Sequence, residues 1–177
     1  MLCVWWDKRG VIHYEIISDG YCYWWDTDGV RQEWRIPDRK GKRAYTLNSE
    51  VYKAQVERLY LAVLDKRPDR RGCVILQQDN ARPHVARDVV RLIEDELKWE
   101  LLCHPPYSPT EAPSDYHLFR SLHNWQLGKR YRCLGELCDD VQAFFDVKDH
   151  DFFQKGIERL PHKWEAAIEV EGDYPLE

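Results

Sequence analysis

No stretch of this chain approaches the ~20 consecutive apolar residues that a membrane-crossing helix needs. The N-terminus has no basic stretch followed by an apolar core, so no secretory leader is expected. Six cysteines stand at 3, 22, 73, 103, 133 and 138. None forms a CxxC pair, and none groups with histidine at zinc-finger spacing, which excludes a small zinc module. Cys3, Cys73 and Cys103 fall in apolar runs that read as strands, so buried reduced thiols are expected. Positive charge is also short: the net charge is -5, which excludes a surface that is nucleic-acid footprint throughout. A local basic face beside metal-binding acids stays open. The expectation is a soluble, intracellular protein with no membrane attachment.

What is present suffices for one folded domain. The chain has 177 residues, 44% of them hydrophobic and 13% aromatic, enough to bury a proper core. "MLCVWWD" is an apolar run ending in an acid, and "GVIHYEII" follows a Lys-Arg-Gly turn, so the two read as a hairpin. Positions 3–11 and 22–30 share Cys, Trp-Trp-Asp, Gly and Val in the same places. Residues 18 to 46 hold the second copy (Trp24, Trp25, Asp26), Pro37 and the basic stretch "RIPDRKGKR". They read as a loop or insertion after strand 2, with room for a short extra hairpin, and the third strand of the opening meander should lie in or beside them.

Asn48 or Ser49 can cap a helix over about 49 to 65, with Tyr52, Val56, Leu59 and Val63 on one face. "CVILQQD" (73 to 79) reads as a buried strand. A helix opening at Pro83 should bury Ala86, Val89, Val90, Ile93 and Leu97. "WELLCH" (99 to 104) is the next strand, and the βαβ order makes this pair parallel. After the proline-rich loop "PPYSPTEAPSD", helices are expected from about Ser114 to Leu127, over 134 to 147, and over 149 to 170. The fold class is α/β, with a mixed sheet flanked by helices.

Three acids end or open these elements: Asp7, Asp79 and Asp115. Carboxylates gathered this way repel unless a cation lies between them. Hard oxygen ligands without Cys or His spacing point to Mg²⁺ or Mn²⁺. Two such ions roughly 3.5–4 Å apart suit phosphoryl displacement. Each acid alone reads equally as a cap or a turn.

The residues around them add more. "VWWD" (4 to 7), "QDNARPH" (78 to 84), "HPPYSPTEAPSDYHLFRSL" (104 to 122) and the closing "GIERLPHKWEAAIEVEGDY" resemble the catalytic domain of mariner-type transposases, in the same order. The resemblance implies an RNase H-like fold and an aspartate triad on two Mg²⁺ or Mn²⁺ ions. Asp7 would bridge both ions, with Asp79 on one and Asp115 on the other. It implies cut-and-paste DNA transposition in the nucleus. Water cleaves strands at the transposon ends, and the freed 3′-hydroxyl then attacks a TA target, with a homodimer as the working unit.

Three departures accompany the resemblance. The Asp79–Asp115 spacing is one residue longer than usual in the family, and the extra residue falls in "LIEDELKW". Residues about 20 to 44 have no evident counterpart. The family's N-terminal helix-turn-helix region is absent, which suggests a truncated chain. A relic or domesticated module that binds DNA or a partner without transposing, as in SET-methyltransferase fusions, is therefore the alternative. A general RNase H-like nuclease is a third reading.

Asn80, Arg82, His84 and Arg120 are candidate DNA contacts, Arg82 because a guanidinium fork suits phosphate. Lys129, Arg130 and Arg132 fit a DNA path or a solvated face. His84, His104 and His117 lie close to the three acids in sequence and suit proton shuttling or DNA contact, with packing and backbone hydrogen bonding the favoured reading for His104, which precedes two prolines. Tyr107 and its neighbouring prolines stiffen their loop. One of Trp5 and Trp6 should be core, because they alternate faces, and Trp125 and Trp164 should be core in their helices. Asp26, amid turn residues, is the weaker of the two Trp-Trp-Asp acids.

Overall fold

A computed structural model describes residues 1–26, 28–36, 47–70 and 72–170. Most of the basic stretch after Arg35 lies outside them. The chain divides into two compact units. One is Met1–Trp6 with Val11–Cys103; the other is Asp7–Gly10 with the chain from His104 onward. No described helix is long and apolar enough to cross a membrane.

β1 (Leu2–Asp7), β2 (Gly10–Ser18), β3 (Tyr21–Trp25) and β4 (Arg31–Arg35) form a four-stranded sheet in chain order, all of it but Asp7 and Gly10 in the first unit. The third strand expected somewhere in 18 to 46 is β3. It pairs with β2 from Ser18↔Tyr21 to Glu15↔Trp24. The two-residue loop between them is Asp19-Gly20, both at positive φ (52° and 82°), as an Asp-Gly hairpin turn requires. β4 then pairs with β3 from Tyr21↔Arg35 to Trp25↔Arg31. The second Trp-Trp-Asp copy is therefore ordered hairpin rather than loop.

The helix α1 (Ser49–Lys66) begins at Asn48, whose side chain accepts the Glu50 and Val51 N–H groups at 3.0 and 3.1 Å. That cap satisfies two of the helix's orphan donors. The predicted face of α1 is buried: Tyr52, Val56, Leu59 and Val63 join Trp5 in the core. At the other end Lys66 Nζ donates to the Ile12 carbonyl at 2.9 Å.

β5 (Ile75–Gln77) and β6 (Glu100–Leu102) pair in parallel, Ile75 opposite Glu100. Both strands are shorter than the apolar runs suggest. They form their own two-stranded ladder beside the antiparallel sheet, so the α/β fold carries parallel and antiparallel strands in separate hydrogen-bonded sets. Leu76 and Leu101 pack on the same core as Trp5. The shortness of the strands explains why Cys73 and Cys103, just outside them, are exposed instead of buried.

The helix expected at Pro83 starts later, as α2 (Arg87–Arg91), and continues into a wider π turn, Leu92–Glu96. Residues before it are held in a turn by the Asp79 side chain, described below. The wider winding, with Leu97 N–H bonded to Leu92 C=O, brings Leu92 as well as Val89 and Ile93 into the core.

In the second unit a π turn, Ser114–Phe119, runs into α3 (Arg120–Gln126). α4 (Leu134–Asp146), α5 (His150–Glu158) and α6 (Leu160–Glu169) follow. The helix expected over 149 to 170 is two, because Pro161 cannot donate into a continuous helix. Leu118, Leu122, Val141, Phe144, Phe145 and Phe153 are buried. Phe144 meets Phe145 and Phe152 edge to face. Trp125, half-buried, ties to α4 through Asp140, which also accepts from Lys129 and Tyr131.

Candidate active site

Asp7 ends β1 at a two-residue hairpin loop. Its Oδ1 accepts the Arg9 N–H at 2.8 Å, and Arg9 Nε stands 3.8 Å from Oδ2. The carboxylate is thus used by its own turn. Gly10, at φ 128°, closes this turn with Phe153 only 3.8 Å from where a Cβ would sit.

Asp79 lies two residues beyond β5, and its side chain is 59% exposed. Oδ1 accepts the Ala81 N–H at 2.9 Å and faces His84 Nδ1 at 2.5 Å. This local pairing folds residues 79–85 into a turn, with the His84 and Val85 N–H groups on the Ala81 carbonyl. It is the reason that α2 starts only at Arg87. His84, expected as a DNA contact, here stands beside the Asp79 carboxylate. Asn80 and Arg82 are exposed on either side of the turn.

Asp115 belongs to the second unit with Asp7. It is exposed in the first turn of the π segment, where a carboxylate complements the helix dipole. Its neighbours are anchored: Tyr116 donates to the Gly156 carbonyl at 2.6 Å, and His117 Nε2 donates to the Phe152 carbonyl at 2.8 Å. Burial pulls the His117 imidazole down from its ordinary value, consistent with a neutral ring that donates. Arg120 is exposed one turn on.

Of the other candidates, His104 is buried, as a packing residue should be. Lys129 pairs with Asp140 at 2.5 Å, and Arg132 with Glu136. Both therefore brace α4 from its surface. Tyr107 is 94% exposed. Trp5 is core and Trp6 only half-buried, in line with their alternation.

Asp7, Asp79 and Asp115 are carboxylates, the right donors for a hard divalent ion. Among the described residues, however, no group of three or more His, Cys, Asp or Glu is placed to hold a metal. Asp26 is a turn residue. Its Oδ1 accepts from the Asp28 and Val30 N–H groups, and its Oδ2 from Gln32 Nε2 at 2.7 Å. Sequence reasoning missed the buried cluster around Glu15, described below. Its signal was an acid in the middle of an apolar strand, "HYEII".

No protein-family model matches the chain. It is 36% identical over 177 residues to the Mariner Mos1 transposase of Drosophila mauritiana, covering 98% of this chain and 44% of that protein. It is 31% identical over 174 residues to the human histone-lysine N-methyltransferase SETMAR, covering 98% of this chain and 22% of that protein. The chain spans less than half the length of both relatives. Its fold matches the solved Mos1 transposase catalytic domain with raltegravir and Mg at a TM-score of 0.81 and 34% identity, over 100% of this chain and 77% of that one. The Mos1 paired end complex with Mn matches at 0.80 and 35% identity, over 99% of this chain and 44% of that one.

Proposed function

Since the chain belongs to the family of mariner-type transposase catalytic domains, with their RNase H-like α/β fold, we propose that it is a metal-dependent DNA strand-cleavage and strand-transfer module. The observation that carries this is the likeness to the Mos1 catalytic domain across the whole chain. The substrate class follows from the same likeness: solved Mos1 assemblies include a paired end complex and a strand transfer complex. We assign transposon-end DNA and a TA target as partners, a homodimer as the working unit, and the nucleus as its place of action.

Solved Mos1 structures carry Mg or Mn, and we assign the same ions, as a pair, to this chain. Bound there, they would activate the attacking oxygen and stabilise the leaving oxygen of an in-line displacement. Asp79 and Asp115 are the ligands best supported, because both carboxylates are exposed at the ends of regular elements. Asp7 takes the third position on the family pattern alone. Its surroundings suit an ion least, because Arg9 Nε already stands 3.8 Å from its second oxygen. Exposed Asn80 and Arg82, next to Asp79 in sequence, and exposed Arg120, one turn past Asp115, would hold backbone phosphates.

The likeness to SETMAR favours a second reading, a domesticated module that binds DNA or a partner without transposing. One experiment separates the two. The purified chain, Asp79→Asn and Asp115→Asn are incubated with labelled duplex DNA and Mn²⁺. Nicking by the wild type that either substitution abolishes supports the enzyme. Equal behaviour of all three supports the binding module.

A further inference from the structure

The two oxygens of Asp79 are treated differently by its surroundings. Oδ1 carries both local contacts, the Ala81 N–H and His84 Nδ1. Among the described residues Oδ2 makes no hydrogen bond, and the side chain is 59% exposed. One oxygen is clamped and the other faces solvent.

The clamp is itself held from behind. The His84 ring, 17% exposed, lies on the Tyr52 ring with centroids 4.1 Å apart. Tyr52 is 3% exposed and packed in the core of the first unit beside Trp5. Its hydroxyl donates to Gln78 Oε1 at 2.7 Å, and Gln78 Nε2 donates to the His84 carbonyl at 3.1 Å. Gln78 thus fixes the His84 backbone while Tyr52 fixes the ring. The tyrosine is carried on the capped helix α1, so a rigid element sets the rotamer of an exposed carboxylate.

We propose that His84 is a positioning residue for Asp79: it holds Oδ1 so that Oδ2 is presented to a divalent cation, and Tyr52 with Gln78 holds His84. This rests on the reading above that Asp79 is a metal ligand. Groups that orient a ligating carboxylate change metal affinity by roughly 10–100-fold when removed. A bare Asp79 would lose affinity to rotation of its carboxylate, even though no ligand atom has changed.

The test is a Mn²⁺ titration of the full chain, followed by electron paramagnetic resonance, with thermal unfolding in parallel. His84→Ala should weaken Mn²⁺ binding about tenfold or more. His84→Asn, which returns an amide nitrogen near the Nδ1 position, should recover most of that. Tyr52→Phe, which keeps the ring and loses the hydroxyl, should fall between them. A second readout needs no metal: the ¹⁵N resonance of His84 Nδ1 should move in Asp79→Asn at fixed pH. Equal Mn²⁺ affinity in His84→Ala and wild type, or no recovery in His84→Asn, overturns the proposal. So does an unmoved nitrogen resonance. A wild-type chain that binds no Mn²⁺ removes Asp79 as a ligand and this inference with it. The nitrogen resonance then still reports whether the clamp exists, so the two failures are told apart.

Discussion

Arg58 meets Glu15 through two parallel hydrogen bonds, Nε to Oε1 at 2.7 Å and Nη2 to Oε2 at 2.9 Å. Glu15 is fully buried. It is also reached by His13 Nε2 at 2.8 Å, Gln55 Nε2 at 2.9 Å and the Cys22 thiol at 2.6 Å. Trp24 lies 4.4 Å and Trp34 5.7 Å from the guanidinium carbon. The hairpin carrying the second Trp-Trp-Asp copy therefore lids a buried ion pair. A charge in this setting tolerates burial only while its partners remain.

Removing one partner is correspondingly costly. Arg58→Ala leaves the Glu15 carboxylate buried without its fork and should cost about 3–5 kcal/mol. Urea unfolding of the purified chain measures it. Replacing Glu15 and Arg58 together by apolar residues of similar volume should cost less than Arg58→Ala alone. A single substitution costing under about 1 kcal/mol would mean that the pair is not closed in solution.

The same cluster sets an acid limit on the first unit. Burial alone would raise the Glu15 carboxyl, but hydrogen bonds from His13 and Arg58 outweigh it and hold the group at about 2, below its ordinary 4.5. A depressed folded-state value means that the unfolded chain takes up the proton first. The stabilisation is then full above about pH 4.5 and is lost as pH falls from there through about 2. Unfolding free energy measured down this range should drop in the wild type and stay flatter in Glu15→Gln. Parallel curves would rule the cluster out as the source.

Asp26 offers a contrast between the two Trp-Trp-Asp acids. The Val30 N–H and the Gln32 side chain lower its carboxyl from the ordinary value, so its support for the turn is present near neutrality and fades in acid. Asp26→Ala should speed hydrogen exchange at Asp28 and Val30 several-fold, because both N–H groups lose their acceptor. It should leave Mn²⁺ affinity unchanged. A fall in affinity matching that of Asp79→Asn would move the metal to the hairpin and sink the reading of Asp26 as a turn residue.

Elements whose signals are local were readable from sequence. The α1 face and its Asn48 cap follow from helical spacing and a single side chain. The Asp19-Gly20 turn that locates β3 was passed over in the sequence, although an Asp-Gly pair between β-rich runs is a local hairpin signal. The late start of α2 was not readable, because it depends on Asp79 and His84 meeting across five positions. Nor was the lid role of Trp24 and Trp34, which needs Arg58 brought from α1 to the sheet. Acids at strand ends were easy to list. Whether a carboxylate serves its own turn or faces outward depends on backbone N–H directions that residue types do not encode.

Asp7 and Asp79 now make a direct comparison. Both accept an N–H from two residues on, Arg9 for one and Ala81 for the other. Asp7 differs in having a guanidinium 3.8 Å from its second oxygen, the atom that in Asp79 makes no hydrogen bond among the described residues. A cation already beside a carboxylate opposes a second one. Asn at either position keeps the turn acceptor and removes the charge, so the fold should survive both changes. Asp79→Asn should weaken Mn²⁺ binding at least tenfold, and Asp7→Asn at most about threefold, roughly 0.7 kcal/mol, the scale of an exposed charge contact. The measurement is one Mn²⁺ titration of each variant, with thermal midpoints as the folding control. Equal losses at the two positions would show Asp7 and Asp79 ligating alike, as the expected triad has them. A loss at neither would take the metal away from both acids.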